Sequence, residues 1–363
     1  MRYRGRQQTT RVVAAMATLL AAGCSSGDSG SPDVQSAAVS TQDVATGLDV
    51  PWGISFLPDG TALIAERDTG VITHLTAPGQ LREVGGVTGV APRGEAGLLG
   101  VAVSPNFAQD QTVFAYLTTE ADNRVVATRF DGDTLTDQRP ILTGIPAAAI
   151  HDGGRILFGP DQKLYVTTGD AGNSGLAQDK SSLGGKILRI DPDGSIPADN
   201  PDPASPVWSY GHRNVQGLAW DGQGRAWATE YGASTWDEVN LIEPDGNYGW
   251  PEAEGRAGIP GLIDPQVQWR TSDASPSGMA FADGSLWVAA LRGERLWQLP
   301  VGADGQLGEP VAHFVEDLGR LRTVAAAPDG ALWFTTSNRD GRGDPRDGDD
   351  RVISVRPETL TGG

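Results

Sequence analysis

Apolar residues fall in short runs along this chain, and the runs repeat. A small or apolar stretch leads into a turn rich in Pro, Asp and Gly, and a second apolar stretch follows. The pattern first appears as Trp52-Gly53-Ile54-Ser55-Phe56-Leu57-Pro58-Asp59-Gly60, then Ala62-Leu63-Ile64-Ala65. It returns at Leu99-Gly100-Val101-Ala102-Val103-Ser104-Pro105-Asn106. The third copy is Arg155-Ile156-Leu157-Phe158-Gly159-Pro160-Asp161, then Leu164-Tyr165-Val166; the fourth is Gln216-Gly217-Leu218-Ala219-Trp220-Asp221, then Ala226-Trp227-Ala228. The fifth starts at Ser277-Gly278-Met279 and the sixth at Thr323-Val324-Ala325. Runs this short, bounded by turn residues, favour strands over helices.

A spacing of roughly 45 to 60 residues suits a four-stranded propeller blade with some long loops. The expected fold is therefore all-β, a six-bladed β-propeller over 46–358. One blade cannot bury both of its faces, so blades stack radially around a channel. Their connecting loops then gather distant residues on one rim. A β-sandwich or several small β domains is the competing arrangement, but no break in composition marks a second domain. The 49 Gly and 24 Pro suit many turns, and ten Trp supply material to pack between sheets.

The first 45 residues have a different character. Arg2, Arg4, Arg6 and Arg11 precede an apolar stretch over 12–22 that is too short to span a bilayer. Leu20-Ala21-Ala22-Gly23-Cys24 follows and resembles a bacterial lipobox, with Ala21 where Leu is usual. Residues 1–23 are expected to be a signal peptide, with lipid on Cys24. An ordinary signal peptide with a chance cysteine is the alternative. Residues 24–45, rich in Ser, Gly, Asp and Ala, are expected to form a flexible tether. The expected location is the outer face of the cytoplasmic membrane or the cell envelope, held through the lipid only. Cys24 is the chain's single cysteine, so an intramolecular disulfide, thiol catalysis in the domain and cysteine–zinc sites are excluded.

A formal charge of −18 argues against nucleic acid, and acidic loops can hold a hard cation. Two such loops stand out. One runs from Glu230 to Glu238 and on to Asn247-Tyr248-Gly249-Trp250-Pro251; the other, from Asp340 to Asp350, carries five Asp and is expected to be solvated. Of four histidines, His74 and His313 lie in strand-like runs, while His151 and His212 stand at blade entrances, where structural and catalytic roles are both open. Arg213, Arg292, Arg320 and Arg322 cluster near repeat starts. Alternation puts Arg320 and Arg322 on one side of an extended segment. Converging guanidiniums would suit a polycarboxylate, and scattered surface ion pairs are the alternative. Hydrolase, zincin, P-loop and dinucleotide-binding motifs are absent.

Several segments together resemble the soluble aldose sugar dehydrogenase family, also described as glucose/sorbosone dehydrogenases. They are Gly94-Glu95-Ala96-Gly97-Leu98-Leu99-Gly100, His151-Asp152-Gly153-Gly154-Arg155, Thr168-Gly169-Asp170-Ala171-Gly172-Asn173 and Leu183-Gly184-Gly185-Lys186-Ile187. Gly211-His212-Arg213-Asn214-Val215-Gln216-Gly217, Asp237-Glu238, Asn247-Tyr248-Gly249-Trp250-Pro251, Pro276-Ser277-Gly278-Met279 and Arg320-Leu321-Arg322 complete the series. The resemblance covers nearly all of the chain after the tether. It implies oxidation of an aldose at the anomeric hydroxyl, with hydride passing to pyrroloquinoline quinone over the channel mouth. It also implies Ca²⁺ as a Lewis acid and an onward electron acceptor.

By resemblance, His151 is the base, Asp170 orients it, and Arg213 stabilises charge on the reduced quinone. Glu95, Arg213, Asn214, Arg292, Arg320, Leu321 and Arg322 match cofactor positions; Gly232, Ala233, Glu238 and Tyr248 match calcium positions. Three positions depart from the family's best-known members. Glu95 replaces glutamine, Arg292 replaces lysine and Ala233 replaces proline. Two other functions stand beside this one: a calcium-dependent lactonase or hydrolase, whose channel would lack an arginine cradle, and a propeller that binds without catalysis.

The lipobox has a direct check. Cys24→Ser should shift the protein from the membrane to the soluble fraction; continued membrane association would contradict the lipid anchor.

Overall fold

Each repeat folds into a four-stranded antiparallel sheet, and the six sheets are the blades of a propeller. The computed structural model describes residues 40–360. The signal segment, Cys24 and most of the expected tether lie outside them. From the channel outward, blade one is Pro51–Phe56, Ala62–Glu66, Val71–Ala77 and Gln80–Gly86; blade two is Leu98–Val103, Thr112–Thr118, Asn123–Phe130 and Leu135–Ile145. Blade three is Ile156–Phe158, Leu164–Thr167, Lys186–Ile190 and Val207–Tyr210; blade four is Val215–Trp220, Ala226–Glu230, Trp236–Ile242 and Val267–Arg270. Blade five is Pro276–Ala282, Ser285–Ala290, Arg295–Pro300 and Val311–His313.

Blade six joins both ends of the described chain. Leu321–Ala326, Leu332–Thr336 and Val352–Val355 take Gln42–Ala45 as their outermost strand, with Gln42 opposite Ser354. This corrects the expected tether, whose last four residues are a strand. Val44 and Ala45 are buried against Leu48, Ile64 and Val352, so apolar burial extends the folded domain to include them.

Alternation along each strand feeds two interblade cores at once. In blade one, Leu63 and Ala65 pack with Leu98, Val101 and Val113 of blade two. Their neighbours Ala62 and Ile64 face the closing strand. Trp227 and Trp287 fill equivalent places in blades four and five.

The inner strands run very close to one another around the axis. A Cβ on Gly278 would lie 2.8 Å from the Thr323 Cα and 3.0 Å from the Val324 N. This explains why a glycine stands near the start of most repeats. The inner strands of blades one, two, four, five and six also each carry a register irregularity near the start. Such bulges re-aim side chains, and here Trp52, Gln216, Ser277 and Arg322 fall within them.

Gly278→Ala should cost about 1–3 kcal/mol, because the nearest atoms belong to rigid backbone. Urea unfolding measures this, and an unchanged midpoint would contradict the close-packing account.

Candidate active site

The bulged residues converge. Gln216 Oε1 accepts from the Tyr231 hydroxyl at 2.8 Å, Ser277 Oγ at 2.9 Å and Arg322 Nη1 at 3.2 Å. Arg155 stacks over Trp52 with its guanidinium carbon 4.3 Å from the ring centre. It donates to the Gln216 carbonyl and to Thr323 Oγ1, both at 3.0 Å. Burial, then the neighbouring Arg322, pushes Arg155 down to about 9, which leaves it cationic at neutral pH. Arg322 is also held below its usual value, chiefly by burial, and its Nε has no hydrogen-bond partner among the described residues. The Asn214 Nδ2 is a second buried donor without a partner among the described residues, while Asn214 Oδ1 accepts from Gly153 N at 3.0 Å.

Beside this layer opens a cavity of about 420 Å³, within the usual range for a small-molecule site. Its lining includes Glu95, His151, Arg213, Tyr231, Gly232, Ala233, Asp237, Arg292, Arg320 and Arg342. Predicted site residues from six separate stretches of sequence thus meet at one place.

His151 sits in the left-handed region at φ 58°. Its N–H donates to Glu95 Oε2 at 3.1 Å, and its carbonyl accepts from Ala171 N at 3.2 Å. Gly169 permits this approach, since a Cβ there would lie 1.9 Å from the His151 carbonyl oxygen. The ring Nδ1 lies 2.7 Å from Asp170 Oδ1. Asp170 also accepts from Trp250 Nε1 and Gly172 N, each at 2.8 Å. Burial alone would raise the Asp170 pKa, but hydrogen bonds from His151 and Trp250 and the charge of His151 outweigh it and hold the carboxyl below the ordinary range. An ionised Asp170 only accepts, so Nδ1 carries the proton and Nε2 keeps its lone pair. His212 resolves differently. It is fully buried, stacked on Tyr248, and bonded to Glu230 Oε2 at 2.8 Å and Ser209 Oγ at 2.9 Å. It is a structural histidine.

The arginines outnumber their counter-ions. Arg320 and Arg322 share one carboxylate oxygen of Asp340, at 2.9 and 3.3 Å. Arg292 stands exposed on the rim. Leu321 can meet a cofactor only through its main chain. Strand alternation turns its side chain away from the two arginines and into the core beside Leu296, Val324 and Phe334. The Asp340–Asp350 loop is solvated over its middle, as expected, with Asp344 and Asp347 exposed, but its two ends are not. Asp340, Asp349 and Asp350 are buried, the first by the arginines, the others by Thr336, Asn338 and Arg351. Sequence reasoning missed Tyr231 and Arg342 as lining residues. Both were embedded in loops whose acidic composition drew attention to their neighbours.

The metal positions split into two places. Gly232 and Ala233 line the large cavity, and Arg213 Nη1 donates to the Gly232 carbonyl at 2.7 Å and the Tyr231 carbonyl at 3.2 Å. A cation already sits on these carbonyls, which is the donor chemistry calcium uses. Glu238 and Tyr248 instead line a much smaller adjoining cavity with Glu230, Glu254 and Gly232. Burial, followed by Glu230, raises Glu238 to about 8, so an added cation there would relieve two crowded carboxylates. The Tyr248 hydroxyl is occupied by the Leu241 carbonyl and the Glu243 N–H, leaving its main-chain carbonyl as the group it can offer a metal.

The Glucose / Sorbosone dehydrogenase family model matches residues 48–343. The aldose sugar dehydrogenase of Escherichia coli is 30% identical, over 84% of this chain and 92% of its own. Quinoprotein glucose dehydrogenase B of Acinetobacter calcoaceticus is 33% identical, over 58% of this chain and 52% of its own. Among solved structures, the PQQ-bound aldose sugar dehydrogenase of Streptomyces coelicolor superposes with TM-score 0.85 at 52% identity, covering 87% of this chain and 98% of that one.

Asp170 offers a test by pH. Its lowered pKa means that its contribution to stability is present above the unfolded carboxyl value and is lost as pH falls through the folded one. Asp170→Asn should therefore cost about 1–3 kcal/mol near pH 7, with the gap to the parent narrowing below about pH 4. Thermal unfolding at both pH values measures it, and a gap that does not change with pH would contradict the hydrogen-bonded Asp170–His151 geometry.

Proposed function

This chain belongs to the glucose/sorbosone dehydrogenase family, and from that premise we propose that it oxidises the anomeric hydroxyl of aldose sugars to the lactone, using pyrroloquinoline quinone and Ca²⁺. It is an oxidoreductase. The observation that carries the reading is one cavity lined by His151 and four arginines, with Asp170 fixing the imidazole. The cavity also fits a polycarboxylate in its unmet needs. Among the described residues, Arg320 and Arg322 share a single carboxylate, and the Arg322 Nε and Asn214 Nδ2 are buried donors without acceptors.

Arg213, Arg292 and Arg320 would hold the cofactor's carboxylates, with Arg322 and Asn214 behind them, and the carbonyls of Gly232 and Ala233 would hold Ca²⁺. When bound, the quinone and its metal supply a polarised carbonyl that takes up the hydride leaving the anomeric carbon. The protein's part is the proton. His151 Nε2 accepts it from the anomeric hydroxyl, and Asp170 stabilises the resulting imidazolium. His151 suits this because Asp170 holds its Nδ1 and leaves the Nε2 lone pair to take the proton. Arg213 gives the site a fixed positive charge beside the reacting groups, where reduction adds negative charge. Glu238 and the Tyr248 carbonyl support a second, structural cation that would tie the strand Trp236–Ile242 to the loop holding Gly232.

The four lining arginines count against a lactonase or hydrolase: they outnumber the two lining carboxylates, Glu95 and Asp237, and Glu95 is already paired with Arg342. Lipid attachment at Cys24 would place the enzyme outside the cytoplasmic membrane, where sugar arrives directly and an onward electron acceptor reoxidises the cofactor.

Supplying the apoprotein with the quinone and Ca²⁺ should produce dye-linked oxidation of aldoses. His151→Ala should then lose at least about 100-fold in turnover while still binding the cofactor. Normal turnover in that variant would remove His151 from the mechanism.

A further inference from the structure

Glu95 is a carboxylate placed against a cavity otherwise built for an anion. Its two oxygens have separate tasks. Oε2 accepts the His151 N–H at 3.1 Å, which clamps the main chain of the base in its left-handed conformation. A carboxamide oxygen could accept that bond equally well, so the clamp does not need the charge. Oε1 pairs with Arg342 Nη1 at 3.0 Å, across 247 positions of sequence. Arg342 is held in turn. Its N–H donates to Asp340 Oδ1 at 2.9 Å, and the other oxygen of Asp340 takes Arg320 and Arg322. The turn that carries Glu95, entering blade two, is thereby tied to the blade-six loop that organises the arginine cluster. Burial would raise the Glu95 carboxyl, but the His151 and Arg342 bonds outweigh it and keep the carboxyl ionised. The Glu95 side chain is 18% exposed and that of Arg342 55%, so Arg342 covers the more buried charge from the solvent side.

We propose that Glu95 and Arg342 act as one unit that sets affinity for the tricarboxylate cofactor: Glu95 positions His151, and Arg342 cancels the charge that would otherwise repel the ligand. Arg342 is thus a binding determinant because of Glu95 and has little weight without it. This rests on the quinone reading given above. It also explains how this chain carries glutamate at a position where glutamine would serve the clamp alone. Removing one partner of a close charge pair costs far more than removing both, because the other charge is left uncovered.

The test is a double-mutant cycle on the full domain, read as equilibrium binding of the quinone by quenching of tryptophan fluorescence. Citrate, a plain tricarboxylate, serves as a second probe in the same four proteins. Arg342→Gln should weaken quinone binding by at least about 30-fold. Glu95→Gln removes the repelling charge and keeps the clamp, so it should bind at least as tightly as the parent, and adding Arg342→Gln to it should weaken binding by no more than about threefold. The same loss from Arg342→Gln in both backgrounds, or no loss in either, would overturn the proposal. A parent protein that fails to bind the quinone sinks the cofactor reading instead. The citrate cycle then decides the pair: coupling supports it, while additive losses or no citrate binding overturn it. Melting temperatures of the four proteins confirm that each is folded.

Discussion

Six inner strands crowded around one axis are the constraint from which the site follows. Their contact is backbone to backbone where glycine permits it, as at Gly278 against Thr323. Little room is left for side chains in that ring except where a strand bulges. At the bulges Trp52, Gln216, Ser277 and Arg322 turn inward and form a polar layer that also takes in Arg155 and Tyr231. Ring closure by Gln42–Ala45 keeps this geometry rigid, and Thr323 Oγ1 bonding to the Trp52 carbonyl at 2.5 Å joins blade six to blade one beside the channel.

That layer carries more positive charge than the described residues neutralise. Asp340 serves both Arg320 and Arg322, and Arg155 has only neutral partners and a tryptophan face. Burying cations without carboxylates is unfavourable unless a ligand provides the missing charge. The cavity is consequently preorganised for an anion, and the imidazole at its edge is preorganised for a proton. Asp170 sets the imidazole through Nδ1, and Glu95 sets it through the main chain. Binding and proton transfer are thus built on separate anchors that meet at His151.

Much of this was legible in the residues. Six recurrences of a short apolar run and a turn identify the blades, because strand length and blade size leave few alternatives. His151, Asp170, Arg213 and Arg320 were recognisable from motif order, and the fold brings them together. What was not legible depended on pairing between distant segments. Gln42–Ala45 looks like tether until its partner Val352–Val355 is known. The Asp340 end of the Asp340–Asp350 loop looks as solvated as its middle until Arg320 and Arg322 are seen to need Asp340. Arg342 acquires meaning only from Glu95, far away in sequence. Leu321 shows the reverse limit, since a motif carried it along while alternation buries its side chain in the core.

A crystal structure of the protein with pyrroloquinoline quinone and Ca²⁺ tests the central claim most directly. The account predicts a planar ligand in the 420 Å³ cavity, its carboxylates on the arginines and its reactive carbonyl facing His151. A quinone bound elsewhere, or a cavity still vacant at saturating ligand, would contradict it.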